Sequence, residues 1–410
     1  MSDVLSVNIG SSSLKFALYT VSGDAHVDRA HASGLIEGLE PGGNPTLKLS
    51  TQDGSTREPI PVAAAQRGID AALAQLRRAV DTLLAGRQLV AVAHRVVHGG
   101  IHYCEPVRVD ETVLEDLARL NPLAPLHQPH NLAGIRACMA AFPDTPQIAC
   151  FDTAFHSTVP EIEKHFALPA AFFDEGVRRY GFHGLSYAFI AGRLARLTPA
   201  ASGRLLMAHL GNGASLCAAV GSKSVATTMG FSALDGLMMG SRSGSVDPGV
   251  LMYLMDKGWS SQRISTLLYK ESGLLGVSGI SADMRTLRQS DSPAAAFAID
   301  LFTYRIRREA GALVAVMGGV DAIAFTGGIG EHDPALRSSV CDGLGYLGVR
   351  LDPQANAAAT SDARVSIHAP DSSVEVWVLP TDEGRLAAES VVALLGVVSE
   401  LIEGPANLFL

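Results

Sequence analysis

VLSVNIGSSSLKFALY, residues 4–19, is an apolar run, a glycine–serine turn and a second run rich in strand-favouring residues. The pattern predicts a strand over Val4–Val7, a tight turn, and a strand over Phe16–Tyr19. The turn carries Gly10, Ser11, Ser12 and Ser13 and is closed by Lys15. It offers backbone N–H groups, hydroxyls and one ammonium at short range, which suits an anionic phosphate. It is not a Walker loop, because that motif needs GxxxxGK[ST] opening a helix; here the second glycine is missing and a strand follows. By itself the stretch is equally readable as an ordinary surface hairpin.

The same pattern returns about 200 residues later, on the scale of a domain length. Leu205–His209 reads as a strand, Gly211, Asn212 and Gly213 as a turn, and Ala214–Val220 as the next strand. Two halves with one plan are expected, each opening on a hairpin of the phosphate-binding kind. The chain has 410 residues, 47% of them hydrophobic, too many for one ordinary domain. The formal charge is −9, with Lys and Arg scattered, which argues against a nucleic-acid or anionic-membrane partner. An anion site has to be built locally. No apolar run is long enough for a membrane span. Five cysteines without a CxxC pair, and no basic leader before the first strand, predict reduced thiols in a cytoplasmic protein.

Between the hairpins, residues 22–61 predict short strands joined by loops. Gln66–Ala85 has helical spacing, and Leu89–Val97 reads as a buried strand ending in His94, Arg95, Val96, Val97, His98 and two glycines. Asn131–Ala141 looks helical. Gln147–Phe151 is a strand ending at Asp152, and RRYGFHG, residues 178–184, has no clear assignment. Further on, Met238–Asp247 and Gly273–Arg285 read as glycine-rich loops, the first holding Arg242. Ser292 and Pro293 open a long helix to about Met317 in N-cap and N1 order. Asp321–Phe325 is a buried strand before a glycine turn ending in Glu331, Val374–Leu379 is the last strand, and a helix from about Arg385 to Ile402 closes the chain. Strands alternating with helices, with glycine turns after strands, predict an α/β protein of two domains that binds a nucleotide in a cleft. Arg95, Arg242, His183 and Lys15 suit a polyanion, and Asp152 and Glu383 suit a divalent metal; phosphoryl transfer needs both kinds.

The motifs NIGSSSLKF, HRVVHGG, FDTAFH, RRYGFHG, HLGNGAS, GLMMGSRSG, GLLGVSGISADMR, FTGGIGE and the PT(D/N)E segment, in this order from Val4 to about Glu389, closely resemble the acetate kinase family. The resemblance implies two related actin-like domains of the sugar kinase and actin ATPase superfamily. One covers residues 1–151 plus 381–410 and the other, nucleotide-binding, covers 152–380. It also implies a homodimer, ATP and ADP with Mg²⁺ (Mn²⁺ being an alternative metal), and a small carboxylate substrate converted reversibly to acetyl phosphate. Carried over by position, Asn8, Ser11, Ser13 and Lys15 belong to the phosphate and metal region, as do His209, Gly211, Asn212 and Gly213. Asp283, Met284, Arg285 and Gly328, Ile329, Gly330 and Glu331 belong to the adenosine side. Arg95, Asp152, His183 and Arg242 match the catalytic group, and Glu383 the metal carboxylate, with Asn8 beside it. Val97, Leu126, Phe182 and Ala233 match the pocket for the acyl methyl, where Arg95 also meets the substrate.

The chemistry follows without the family. A carboxylic acid of pKa about 4 is ionised at pH 7, so the nucleophile needs no general base. The obstacle is an anion attacking an anion. Arginines, a histidine and a metal supply positive charge and alignment, and one well-placed arginine can be worth roughly 10³–10⁵ in rate. Arg95 and Arg242 are expected on the carboxylate and the transferring phosphoryl group, with His183 donating to it. Asp152 is expected to orient an arginine or a metal-bound water. The competing assignment makes Asp152 or Glu383 a phosphorylated intermediate, which nothing in the sequence requires.

Four departures stand out. Ala233 replaces the usual proline, which enlarges the acyl pocket and makes propionate the alternative substrate. Tyr187 follows Leu185 and Ser186 where Thr-Ser-His is usual, and no catalytic role is assigned to it. His332 follows Glu331 where asparagine is common near the adenine. Asp382 stands beside Glu383 in place of asparagine, as a metal-site charge or as a helix cap. A nucleotide-switched binding protein of the same fold is the reading from another class; no peptide-binding domain follows the core, and the paired arginines would then have no carboxylate to serve.

Overall fold

The computed structural model describes residues 2–10, 12–23, 25–40, 43–60, 68–125, 127–359 and 364–396. It divides into two compact units, Met1–Ala154 with Asp382–Leu410, and Phe155–Thr381.

In the first unit the opening stretch forms β1 (Ser2–Ile9) and β2 (Ser13–Val21), antiparallel, with Asn8 opposite Lys15 and Ile9 opposite Leu14. The next segment is less broken than its composition implied. β3 (Val27–Glu37) runs eleven residues, followed by β4 (Thr46–Thr51) and β5 (Gly54–Pro59). Gly34 on β3 faces Phe16 on β2, and the ring fills the space a Cβ would need. β6 (Gln88–Val96) and β8 (Gln147–Phe151) add in parallel to β1, and β7 (Val107–Arg108) closes the edge. The order is β5-β4-β3-β2-β1-β6-β8-β7.

One face is covered by the helix Gly68–Leu84, whose Leu73, Leu76 and Val80 pack with Leu5, Val7 and Leu14. The helix Gln128–Ala141 sets Leu132 and Ile135 against Val96 and Phe151. The C-terminal helix is Glu383–Leu395, ended by Gly396 at φ 61°; the part expected beyond 396 lies outside the described residues. Asp382 is its N-cap, accepting from the Arg385 amide at 2.9 Å and the Tyr19 hydroxyl at 2.7 Å. The capping reading is thus met by Oδ1 of its carboxylate.

In the second unit the later hairpin is β9 (Arg204–Leu210) and β10 (Ala214–Val220), again antiparallel, with β11 (Lys223–Thr227) beside β10. β12 (Ala322–Thr326) pairs parallel with β9, β14 (Glu375–Val378) parallel with β12, and β13 (Val365–Ser366) lies on the edge. The order β11-β10-β9-β12-β14 repeats β3-β2-β1-β6-β8 strand for strand, antiparallel and parallel pairings included. The two halves share one plan. Ser292 caps the helix Pro293–Met317 and Gly318, at φ 70°, ends it.

Two glycine stretches expected as open turns contain short helices, Gly273–Ser278 with Met284–Arg288, and Gly327–His332. Gly273, Gly279 and Gly327 have φ between 65° and 78° and stand at helix ends, where only glycine reaches that backbone easily.

Candidate active site

In the first unit, functional side chains gather where β1, β6 and β8 end, the end of a parallel sheet at which ligands usually bind. Arg95, on β6 opposite Cys150, reaches Asp152, the residue after β8. Its Nε donates to Oδ1 at 3.1 Å and its Nη2 to Oδ2 at 2.5 Å. The same guanidinium lies 3.3 Å from Glu383 and donates to Asn8 Oδ1 at 3.4 Å. Both oxygens of Asp152 are therefore engaged by one arginine, and the carboxylate is 1% exposed. Burial, then the neighbouring Glu383, push Asp152 up to about 6 against the pull of Arg95. Burial works against charge on Arg95, and the two carboxylates outweigh it, so the guanidinium is held above its ordinary value.

Lys15 stands exposed opposite Asn8, and Ser13 closes the turn by accepting from the Gly10 amide at 2.9 Å. Val97 is buried, with its amide held by Asn131 Oδ1 at 3.0 Å. Asn131 also donates to the Ile9 carbonyl at 2.8 Å, tying the ends of β1 and β6 together. No motif reading singled it out. Ser11 and Leu126 lie outside the described residues. Asn8, Asp152 and Glu383 present only oxygen donors, the kind a hard divalent cation takes from a protein while keeping its waters and phosphate ligands. Among the described residues no cluster of three or more His, Cys, Asp or Glu forms a full metal cage.

In the second unit, His183 has φ 58° and ψ 23°, a left-handed conformation uncommon for a non-glycine residue, at the N-cap of the helix Gly184–Leu194. Its neighbours enforce it. Buried Phe182 gives its carbonyl to His156 Nε2 at 2.9 Å, and His156 also bonds Ser224 at 2.9 Å. Burial lowers His156 to about 4, so it is neutral and structural. His183 Nδ1 is 2.8 Å from Ser215 Oγ on β10, and its ring stacks on His209 of β9 at 4.2 Å. His209 Nδ1 is 2.8 Å from Ser186 Oγ. Arg242 donates from Nη1 to the Ala233 carbonyl at 2.7 Å. Both groups converge on the β9–β10 turn: a Cβ at Gly213 would lie 3.2 Å from Arg242 Nη2 and 3.3 Å from His183 Nε2.

The same turn borders a pocket of about 730 Å³. Gly211 and Asn212 line it from the turn, Asp283, Met284 and Arg285 from one short helix, and Gly328 and Ile329 from another. Asn212 is held by the Gly240 amide, and a side chain at Gly240 would strike it. Gly330 and Glu331 are not in the lining. The Glu331 carboxylate turns inward to accept from the amides of Gly327 at 2.8 Å and Thr381 at 3.3 Å. Orphaned helix-end and loop amides draw it there. Arg288, Gln289 and Asp333 join the lining without having been expected; their signal was adjacency to residues that were. His332 lines it too. Positive groups and bare glycine backbone beside such a pocket can bind an anionic nucleotide and steady a transferring phosphoryl group.

Residues 3–389 match the Acetokinase family. The acetate kinase of Rhodopseudomonas palustris is 52% identical over 397 residues, 95% of this chain and 98% of that protein. A solved propionate kinase from Francisella tularensis has a TM-score of 0.87 at 33% identity, covering 95% of this chain and 99% of that one. The acetate kinase of Porphyromonas gingivalis has a TM-score of 0.84 at 35% identity, covering 96% and 100%.

Proposed function

Because the chain belongs to the acetokinase family and is an enzyme of the acetate kinase type, we propose that it transfers the γ-phosphoryl group of ATP directly and reversibly to acetate, giving acetyl phosphate and ADP. The observation that carries this reading is the convergence of His183 Nε2 and Arg242 Nη2 on Gly213, next to the pocket lined by Gly211 and Asn212. A donor and a fixed cation beside a glycine turn suit the three oxygens of a phosphoryl group. Adenosine would lie against Met284, Ile329 and His332. Arg95 and Arg242 bind the carboxylate and the phosphoryl group, and Asp152 holds Arg95 by both its oxygens instead of taking a proton, since the acid arrives ionised. By the family resemblance, Val97, Phe182 and Ala233 would serve the acyl methyl.

Asn8 and Glu383 would hold Mg²⁺, whose charge neutralises the phosphates. The domains divide near residues 151 and 381. The enzyme works in the cytoplasm, a reading supported by five free cysteines, and as a homodimer. Among the described residues, no helix is long and apolar enough to cross a membrane. Propionate is the second reading. Ala233 keeps the carbonyl that fixes Arg242 while presenting a smaller side chain than proline, and a pocket discriminates one methylene by only about 1–3 kcal/mol.

Hydroxamate detection of acyl phosphate from ATP, Mg²⁺ and either acid tests this. The native enzyme should form acyl phosphate, Arg95→Ala and Arg242→Ala should each lose at least about 10³-fold in kcat/KM, and acetate should exceed propionate. Acyl phosphate from neither acid would overturn the reading; a larger kcat/KM with propionate would replace the substrate.

A further inference from the structure

Tyr187, in the first turn of the helix Gly184–Leu194, is fully buried. Its hydroxyl is 2.5 Å from Ser215 Oγ, and Ser215 Oγ is 2.8 Å from His183 Nδ1. Ser215 is 0% exposed, so each proton in this group needs an acceptor within it. Only one assignment satisfies them all. Ser215 Oγ is the acceptor the buried Tyr187 hydroxyl meets, so the phenol proton goes to Ser215 Oγ. Ser215, having accepted, sends its proton to His183 Nδ1. The reverse direction would leave the phenol proton buried with nothing to receive it, at a cost of roughly 1–3 kcal/mol. Burial also holds the Tyr187 hydroxyl well above its ordinary value of 10.0, so it remains a donor at any working pH.

We propose that Tyr187 is a positioning residue for the phosphoryl-transfer histidine: through Ser215 it fixes His183 in the tautomer that carries its proton on Nε2. That nitrogen is the one facing Gly213 beside Arg242. With the proton there, His183 donates to an anionic oxygen; with the proton on Nδ1 it would present a lone pair to that anion. The inference rests on the proposed function for the role of His183, and adds the group that decides which nitrogen is protonated.

The test is the ¹⁵N imidazole spectrum of histidine-labelled full-length enzyme, with the His183 signal identified by its loss in His183→Gln. A protonated Nε2 and a bare Nδ1 are expected. In Tyr187→Phe a water can take the place of the phenol oxygen and accept the Ser215 proton, so the two tautomers should mix, and kcat should fall about tenfold while KM for acetate and ATP stays within about twofold. Ser215→Ala should match or exceed that loss, and the double variant should be no worse than Ser215→Ala, since the two act in series. A native His183 protonated on Nδ1, or a Tyr187→Phe spectrum identical to native, would overturn the proposal. The native spectrum decides even if Tyr187→Phe or Ser215→Ala fails to fold. Full activity in His183→Gln would sink the role of His183 in catalysis while leaving the tautomer result standing.

Discussion

At Gly213 the absence of a side chain is what the site needs. The residue has no positive φ, so alanine fits the backbone, and its cost is read only in what the new methyl meets. It would press on Arg242, pinned by the Ala233 carbonyl, and on His183, pinned by Ser215. Neither can move without breaking a hydrogen bond. The contacts of 3.2 and 3.3 Å ask each group to give by a fraction of an ångström, and since a misplacement of about 1 Å can cost on the order of 10²-fold in rate, a smaller loss is expected here. Gly213→Ala should therefore lower kcat/KM about tenfold with little change in melting temperature. Near-native turnover would mean that His183 and Arg242 do not act together at this turn. The carboxylates show what a sequence hides at this scale. Asp152 and Glu383 are recognisable by their strand-end and motif positions and do share Arg95. Glu331 and Asp382 look alike in sequence, yet both serve backbone amides. A ligand and a cap use the same residue type beside the same glycines, and only long-range packing separates them.

Among the elements, the glycine-rich helix Gly327–His332 owes its position to Arg337, a residue in none of the recognisable motifs. Fully buried in the helix Pro334–Asp342, Arg337 donates to Asn356 Oδ1 and to the carbonyls of Gly330, Glu331, Asn356 and Ala359 at 2.8–2.9 Å. Burial lowers it to about 10, so it is still a cation at neutral pH. Arg337→Met would fill similar volume and leave those acceptors without a donor, at about 1–3 kcal/mol for each that cannot relax. We expect at least about 3 kcal/mol lost in urea denaturation, and an ATP KM that rises more than the acetate KM. An acetate KM that rises equally would argue that the clamp supports the whole unit and not the nucleotide side. Such a clamp is invisible in sequence because its partners lie 6 to 22 residues away and all but Asn356 Oδ1 are backbone carbonyls. Hairpins and long helices were legible for the opposite reason: their signals are local, as with Ser292 and Gly318 bounding Pro293–Met317. Helices of five or six residues have too few turns to show periodicity, so glycine content misread them as loops.

For the whole molecule, one echo between two turns carried the two-half plan, and the matching sheet orders bear it out. The parallel pairings behind that order, such as β9 with β12, join segments over 100 residues apart and leave no local trace. Assembly leaves its trace on the surface. The helix Pro248–Asp256, PGVLMYLMD, has no buried residue in the single chain. Met252, Tyr253 and Met255 are 65%, 57% and 55% exposed, and Val250 is 44% exposed. An apolar helix left open to water in this way is the mark of an interaction surface, and covering each such side chain contributes about 1.5–3 kcal/mol. A second copy is the occupant the family resemblance implies, and a two-fold contact would place this helix of one protomer against the same surface of its partner. Light scattering should then give twice 42.9 kDa for the native enzyme. Met252→Glu should shift it towards a single chain, because a desolvated carboxylate would face its own symmetry mate across the axis. A native mass of one chain would remove the dimer. A Met252→Glu enzyme that still measures two chains would move the interface elsewhere and leave this helix exposed for another reason.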